Sequence, residues 1–165
     1  MRPEPAALAL ALLCSAAAAE GLEGRTVLFR VESWDFPAAP YLVSSDYAGV
    51  VGPGPEFGMV REHGAGLAVV PVTIDVSEGR IDFTYPGQEP SQFAAARFNG
   101  YVLTFPASCT VVAGAAVDPV TTTLPLAPDA LTITPRGLSL NVAGLAFDAT
   151  TTIGLLVDVT DCPMS

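Results

Sequence analysis

Apolar side chains recur at every second position along much of the chain, and no stretch after residue 20 sustains a 3.6-residue apolar period. Val27, Phe29 and Val31 alternate with Thr26, Arg30 and Glu32, which predicts a half-buried strand over residues 26–32 with Leu28 as the one break. The clearest hairpin runs from Pro71 to Pro86. If Val76 faces Ile81, then Ile74 faces Phe83 and Val72 faces Tyr85, all on one face, whereas a one-residue slip sets apolar side chains against Arg80 and Asp82. The turn is Ser77-Glu78-Gly79-Arg80, where Gly79 is free to take positive φ. A second hairpin places Leu131 opposite Leu140 and Ile133 opposite Leu138 around Thr134-Pro135-Arg136-Gly137, a sequence suited to a type I turn. Further strands are expected at 101–105, 110–117 and 153–160.

Short strands separated by turn signals, with no helical segments between them, predict an all-β fold. The expected architecture is a single β-sandwich over residues 20–165 with Greek-key, jelly-roll or Ig-like connections, and a closed barrel is the alternative. Two proline-bearing stretches, 36–57 and 119–129, read as long loops, the usual place for binding surfaces on a rigid scaffold.

Residues 1–19 have a different pattern. Arg2, an apolar run from Ala6 to Cys14 and the small residues Ala17-Ala18-Ala19 match the three parts of a secretory signal peptide, with cleavage expected after Ala19. The apolar run is about half the ~20 residues of a membrane-spanning helix. Leu13 before Cys14 argues against a lipid anchor there. A secreted or periplasmic protein without membrane insertion is expected. Export also changes the cysteine count, because Cys109 and Cys162 then remain in a compartment that favours oxidation. A disulfide between them is expected. Two free thiols or half of a metal site are the alternatives, and a single histidine in the chain argues against a Cys/His metal site.

Composition removes further classes. Half of the residues are apolar, too many for a disordered chain. Seven arginines and no lysine stand against 17 acidic residues, and the net charge of −10 argues against nucleic acid and anionic membrane as partners.

Three groups of side chains are candidates for chemistry. His63 beside Glu62 has the makings of an acid/base pair, although its glycine-rich surroundings equally suit an ordinary loop histidine. In the predicted register Asp75 lies opposite Asp82, and like charges so placed repel. Arg80 on the same face is the simplest counter-charge. A bridging calcium ion and a glycosidase-type carboxylate pair are the alternatives. Trp34, Phe36, Tyr41, Tyr47 and Phe57 crowd the first long loop near Asp35 and Asp46. They form either a stacking platform for a sugar, with Trp34, Tyr41 and Tyr47 as contacts, or a plug for the end of the core. Asn99-Gly100 reads as a tight turn or bulge, with Asn99 as a further ligand contact.

Arg97 to Phe105 (RFNGYVLTF), Pro128 to Thr134 (PDALTIT) and Leu138 to Asp148 (LSLNVAGLAFD) together resemble a pattern of secreted bacterial β-sandwich proteins, in which an F-N-G-Y strand follows a hairpin and an N-x-x-G-L-x-F strand comes later. The resemblance covers roughly residues 72–159. It implies export and a β-sandwich, and it assigns no chemistry. The expected function is therefore a secreted, non-catalytic module with a structural or binding role, its partner a polysaccharide or another secreted protein. A carbohydrate-binding module, with or without calcium, is the alternative, and a carboxylate-dependent hydrolase a second one. No cofactor other than calcium is suggested.

Overall fold

The computed structural model describes residues 21–60, 63–64, 67–106 and 110–161. The expected signal peptide at 1–19 and both Cys109 and Cys162 lie outside the described residues. Among the described residues there is no helix, and all strand pairs are antiparallel.

One sheet is built around β1 (Thr26–Trp34), which pairs on one side with β2 (Leu42–Val43) and β3 (Tyr47–Val50). On its other side follow β10 (Phe98–Thr104), β13 (Gly137–Asn141) and β12 (Leu131–Thr134). The second sheet has the order β11 (Thr110–Val117), β15 (Thr152–Asp161), β8 (Arg80–Thr84), β7 (Val72–Ser77) and β4 (Phe57–Val60). Two small ribbons complete the fold: β5 (His63–Gly64) with β6 (Leu67–Ala68), and β9 (Ser91–Gln92) with β14 (Ala146–Phe147).

The alternation expected over residues 26–32 holds and extends to the end of β1: Val27, Phe29, Val31 and Ser33 are buried, and the residues between them are partly exposed. Both hairpins have the predicted register, with Ile74 opposite Phe83, Val76 opposite Ile81, Leu131 opposite Leu140 and Ile133 opposite Leu138. Ile133 is nonetheless exposed, because β12 is the edge of its sheet. Gly79 does not use the left-handed region at the first turn. The second turn is docked, its Pro135 carbonyl accepting from Val112 N–H and its Arg136 carbonyl from Phe105 N–H.

The buried faces of the two sheets contribute to one apolar cluster, an arrangement compatible with a β-sandwich. Tyr101 of β10 stacks on Phe83 of β8 with ring centroids 5.2 Å apart, and Phe29 of β1 packs on Phe57 of β4 at 5.3 Å. Such aromatic pairs contribute about 0.5–1.5 kcal/mol each beyond the area they bury.

Two expectations are corrected. The stretch 36–57 is not one long loop, because β2 and β3 within it pair with β1. Asn99-Gly100 is neither a turn nor a bulge, since β10 runs unbroken through it with Ser33 opposite Asn99 and Glu32 opposite Gly100. The glycine is needed for close approach: a Cβ at Gly100 would sit 1.9 Å from the Leu140 carbonyl oxygen of β13.

That contact generates a test. Gly100→Ala has to push two paired strands apart and is expected to cost at least about 2 kcal/mol, the upper part of the overpacking range. Gly58→Ala, where a Cβ meets nothing within 4 Å, is expected to stay within about 1 kcal/mol of the unaltered protein. Urea unfolding of both variants checks this; equal costs would contradict the close-approach account.

Candidate ligand-binding site

Because residues 27, 29, 31 and 33 of β1 face the core, Leu28, Arg30, Glu32 and Trp34 face outwards. Strand pairing sets them in rows across the sheet. Trp34 lies beside Phe98, Glu32 beside Gly100, and Arg30 beside Val102, Ser139 and Thr132 in succession. Trp34 and Phe98 stack at 5.2 Å with an interplanar angle of 17°. The indole N–H donates to one oxygen of Glu32 at 3.2 Å, and Arg30 Nε donates to the other at 2.6 Å. A second arm of Arg30 reaches Asp46 at 3.6 Å. Hydrogen bonding to Glu32 raises the Arg30 pKa, so the guanidinium stays charged.

The result is a shallow groove of about 450 Å³ on the outer face of this sheet. Trp34 and Phe98 form an aromatic wall, Arg30 and Glu32 a fixed charged flank, and Thr132, Thr134 and Ser139 line the side towards β12. This combination suits a ligand with apolar ring faces and hydroxyl edges, since aromatic rings stack on the former while fixed polar groups pair with the latter.

The residues expected from sequence do not form one site. Trp34 lies in the groove and does not plug the end of the core. Tyr41 is exposed beyond it, its hydroxyl donating to Asp35 at 2.5 Å while the other oxygen of Asp35 accepts from the Arg97 N–H. That contact lowers the Asp35 pKa, through the tyrosine first and the backbone second. Tyr47 packs on Phe29 at the margin of the core, with centroids 6.0 Å apart. Asn99 lines the opposite side of the sheet from Trp34, and its amide donates to the Ala94 carbonyl at 2.9 Å. The backbone of His63 belongs to β5, and Glu62 lies outside the described residues. Sequence reasoning missed Phe98, Arg30 and Glu32 as neighbours of Trp34. The parity of β1 held the signal, because Trp34 is out of phase with Val27, Phe29 and Val31.

Asp75 and Asp82 lie directly opposite one another on the outer face of the second sheet. Arg80 Nε donates to Asp82 at 2.6 Å, and its Nη1 donates to Asp118 at 2.7 Å; the other nitrogen donates to Thr121. This buttons the 118–124 segment onto β8, over a glycine at 154 whose Cβ would strike Arg80 and Thr121. Arg80 thereby answers Asp82 and leaves Asp75 beside two acids. Partial burial, then Glu56, then Asp82 raise the Asp75 pKa. Hydrogen bonding from Arg80, then from Val120 N–H and Thr121, lowers that of Asp118. Among the described residues, no group of three or more His, Cys, Asp or Glu side chains is arranged to hold a metal ion.

The two shifts have opposite consequences. A raised folded-state pKa means ionised Asp75 opposes folding above that pKa, and protonation relieves it as pH falls. A depressed one means Asp118 stabilises above the ordinary carboxylate pKa, a contribution lost as pH falls through the folded value. Asp75→Asn is therefore expected to raise the melting midpoint at pH 7, with the gain shrinking in acid; Asp118→Asn is expected to lower it at pH 7 and less so in acid. Millimolar calcium is expected to leave both midpoints unchanged. Thermal melts across pH check this, and a calcium-induced rise that Asp75→Asn removes would contradict it. Comparison with protein-family models, curated proteins and solved structures gives no match, so a functional reading of this chain rests on its own geometry.

Proposed function

We propose that this chain is a secreted, non-catalytic β-sandwich module whose ligand face is the outer groove of the β1-containing sheet, and that its ligand is a hydroxyl-rich chain such as a polysaccharide. One observation carries the reading: Trp34 is stacked on Phe98 while Glu32 pins the indole N–H, so an aromatic surface is held rigid beside a charged flank on a face that the core does not use. A preorganised aromatic loses little conformational freedom when a sugar ring stacks on it. Net charge of −10 disfavours anionic polymers, so a neutral glycan suits the face best.

Export is supported by the pattern of residues 1–19, and a bridge between Cys109 and Cys162 belongs to the same reading. The cysteines are the chain neighbours of Thr110 and Asp161, which pair across β11 and β15. Arg25 ties the same two residues together, donating to the Thr110 hydroxyl and pairing with Asp161 at 2.6 Å.

Affinity electrophoresis in gels containing neutral polysaccharides such as xylan, β-glucan or mannan tests the ligand face. At least one polysaccharide is expected to retard the protein, and Trp34→Ala is expected to weaken that retardation at least tenfold. Ser139→Arg, which blocks the groove while sparing the aromatic stack, is expected to do the same in a folded protein. No retardation by any of them, or retardation that survives both substitutions, would overturn the assignment. Intact mass of exported protein checks the remainder: a chain starting within two residues of Glu20 and lacking free thiols is expected. Retention of Met1 or two titratable thiols would contradict export and bridge respectively.

A further inference from the structure

A second concave feature lies on the core side of the same sheet. At the end of the fold marked by β9 and β14, a cavity of about 250 Å³ opens between the sheets, with Ser33 of β1 and Asn99 and Tyr101 of β10 on one wall. Phe93, Val142 and Phe147 line the other side, and Phe93 and Phe147 pack together with centroids 4.5 Å apart. Among the described residues, no charged side chain lines it.

Two polar features there have hydrogen-bonding capacity to spare. Ser33 is only 3% exposed as a residue, and no hydrogen bond of its hydroxyl is seen among the described residues; since no sealed-off side-chain oxygen or nitrogen there goes unpaired, that hydroxyl opens into the cavity, while neighbouring Ser44 uses its own hydroxyl twice. At the same end of the core, the phenols of Tyr85 and Tyr101 share one hydrogen bond of 2.9 Å. Each phenol carries one proton to donate, so a single bond between them leaves one donor over. A hydroxyl open to a cavity, with a spare phenol proton nearby, is satisfied by whatever fills the space, water or a ligand oxygen.

We propose that this cavity binds a small neutral molecule consisting of one ring with a hydroxyl or carbonyl oxygen, which pairs with the Ser33 hydroxyl while the ring lies against Phe93, Phe147 and Val142. Size sets the first limit, since the volume falls below the ~300–1,000 Å³ of pockets for drug-sized ligands. The uncharged lining formed by the described residues sets the second, because an ion would lose its hydration there without a counter-charge. The site is separate from the outer groove: Ser33 and Trp34 are consecutive in an extended strand and so face opposite sides of the sheet.

Phenol and toluene, which differ only by hydroxyl against methyl on the same ring, test the assignment in amide-resolved NMR titrations at pH 6.5. Phenol is expected to shift the Phe93, Asn99 and Phe147 amides saturably and at least tenfold more tightly than toluene. Ser33→Ala is expected to bring phenol to the level of toluene, and Trp34→Ala to leave phenol binding unchanged. The comparison of the two probes on the unaltered protein decides even if Ser33→Ala fails to fold. No saturable shift at those amides, as expected if water alone fills the space, would overturn the proposal. Equal binding of toluene and phenol would overturn it as well.

Discussion

The ring of Tyr101 is where the two sheets are locked together most closely by both stacking and hydrogen bonding. It packs on Phe29 within its own sheet, stacks on Phe83 of the other, and its hydroxyl is bonded to that of Tyr85. Burial raises the pKa of both phenols, Tyr85 well above its ordinary value, so the pair stays neutral and adds no charge to the core. Once Tyr101 points inwards, alternation fixes the rest of β10: Leu103 also faces the core, while Phe98, Gly100 and Val102 face out. The register with β1 then places Trp34 against Phe98. The outer groove is thus a consequence of how the core is locked, and its aromatic wall needs no separate scaffold.

The two outer faces have been put to different use. On the second sheet, acids dominate, and Arg80 spans Asp82, Asp118 and Thr121 to hold a connecting segment in place. That face is occupied by its own structure. On the first, Arg30 and Glu32 satisfy each other and fix the indole, which leaves the groove beside them open. A partly apolar groove on one sheet and a buttoned polar face on the other is the asymmetry on which the proposed one-sided binding rests.

Much of the fold was legible because strand burial has a period of two. The 71–86 hairpin could be registered residue by residue, since any slip exposed Ile74 or Phe83, and the same held for Leu131 and Leu138 around the second turn. What escaped depended on contacts far apart in sequence. Gly100 read as a turn residue because its reason for being glycine is the Leu140 carbonyl, forty positions away. β2 and β3 were hidden among prolines, and they are strands because β1 offers them an edge. The candidate site divided similarly: Trp34 was visible as a residue type, whereas Phe98 as its partner required the β1–β10 register. Arg80 could be matched to Asp82 from the hairpin, but not to Asp118.

The account stands or falls on which face of the molecule meets a ligand. Amide chemical-shift mapping with a soluble fragment of whichever polysaccharide retards the protein reads this directly. The account predicts that the perturbed residues cluster at Arg30, Trp34, Phe98, Val102, Thr132 and Ser139, with Asp75, Asp82 and their neighbours in β7 and β8 unmoved. Perturbations centred on Asp75 and Asp82, with the Trp34 face silent, would contradict it.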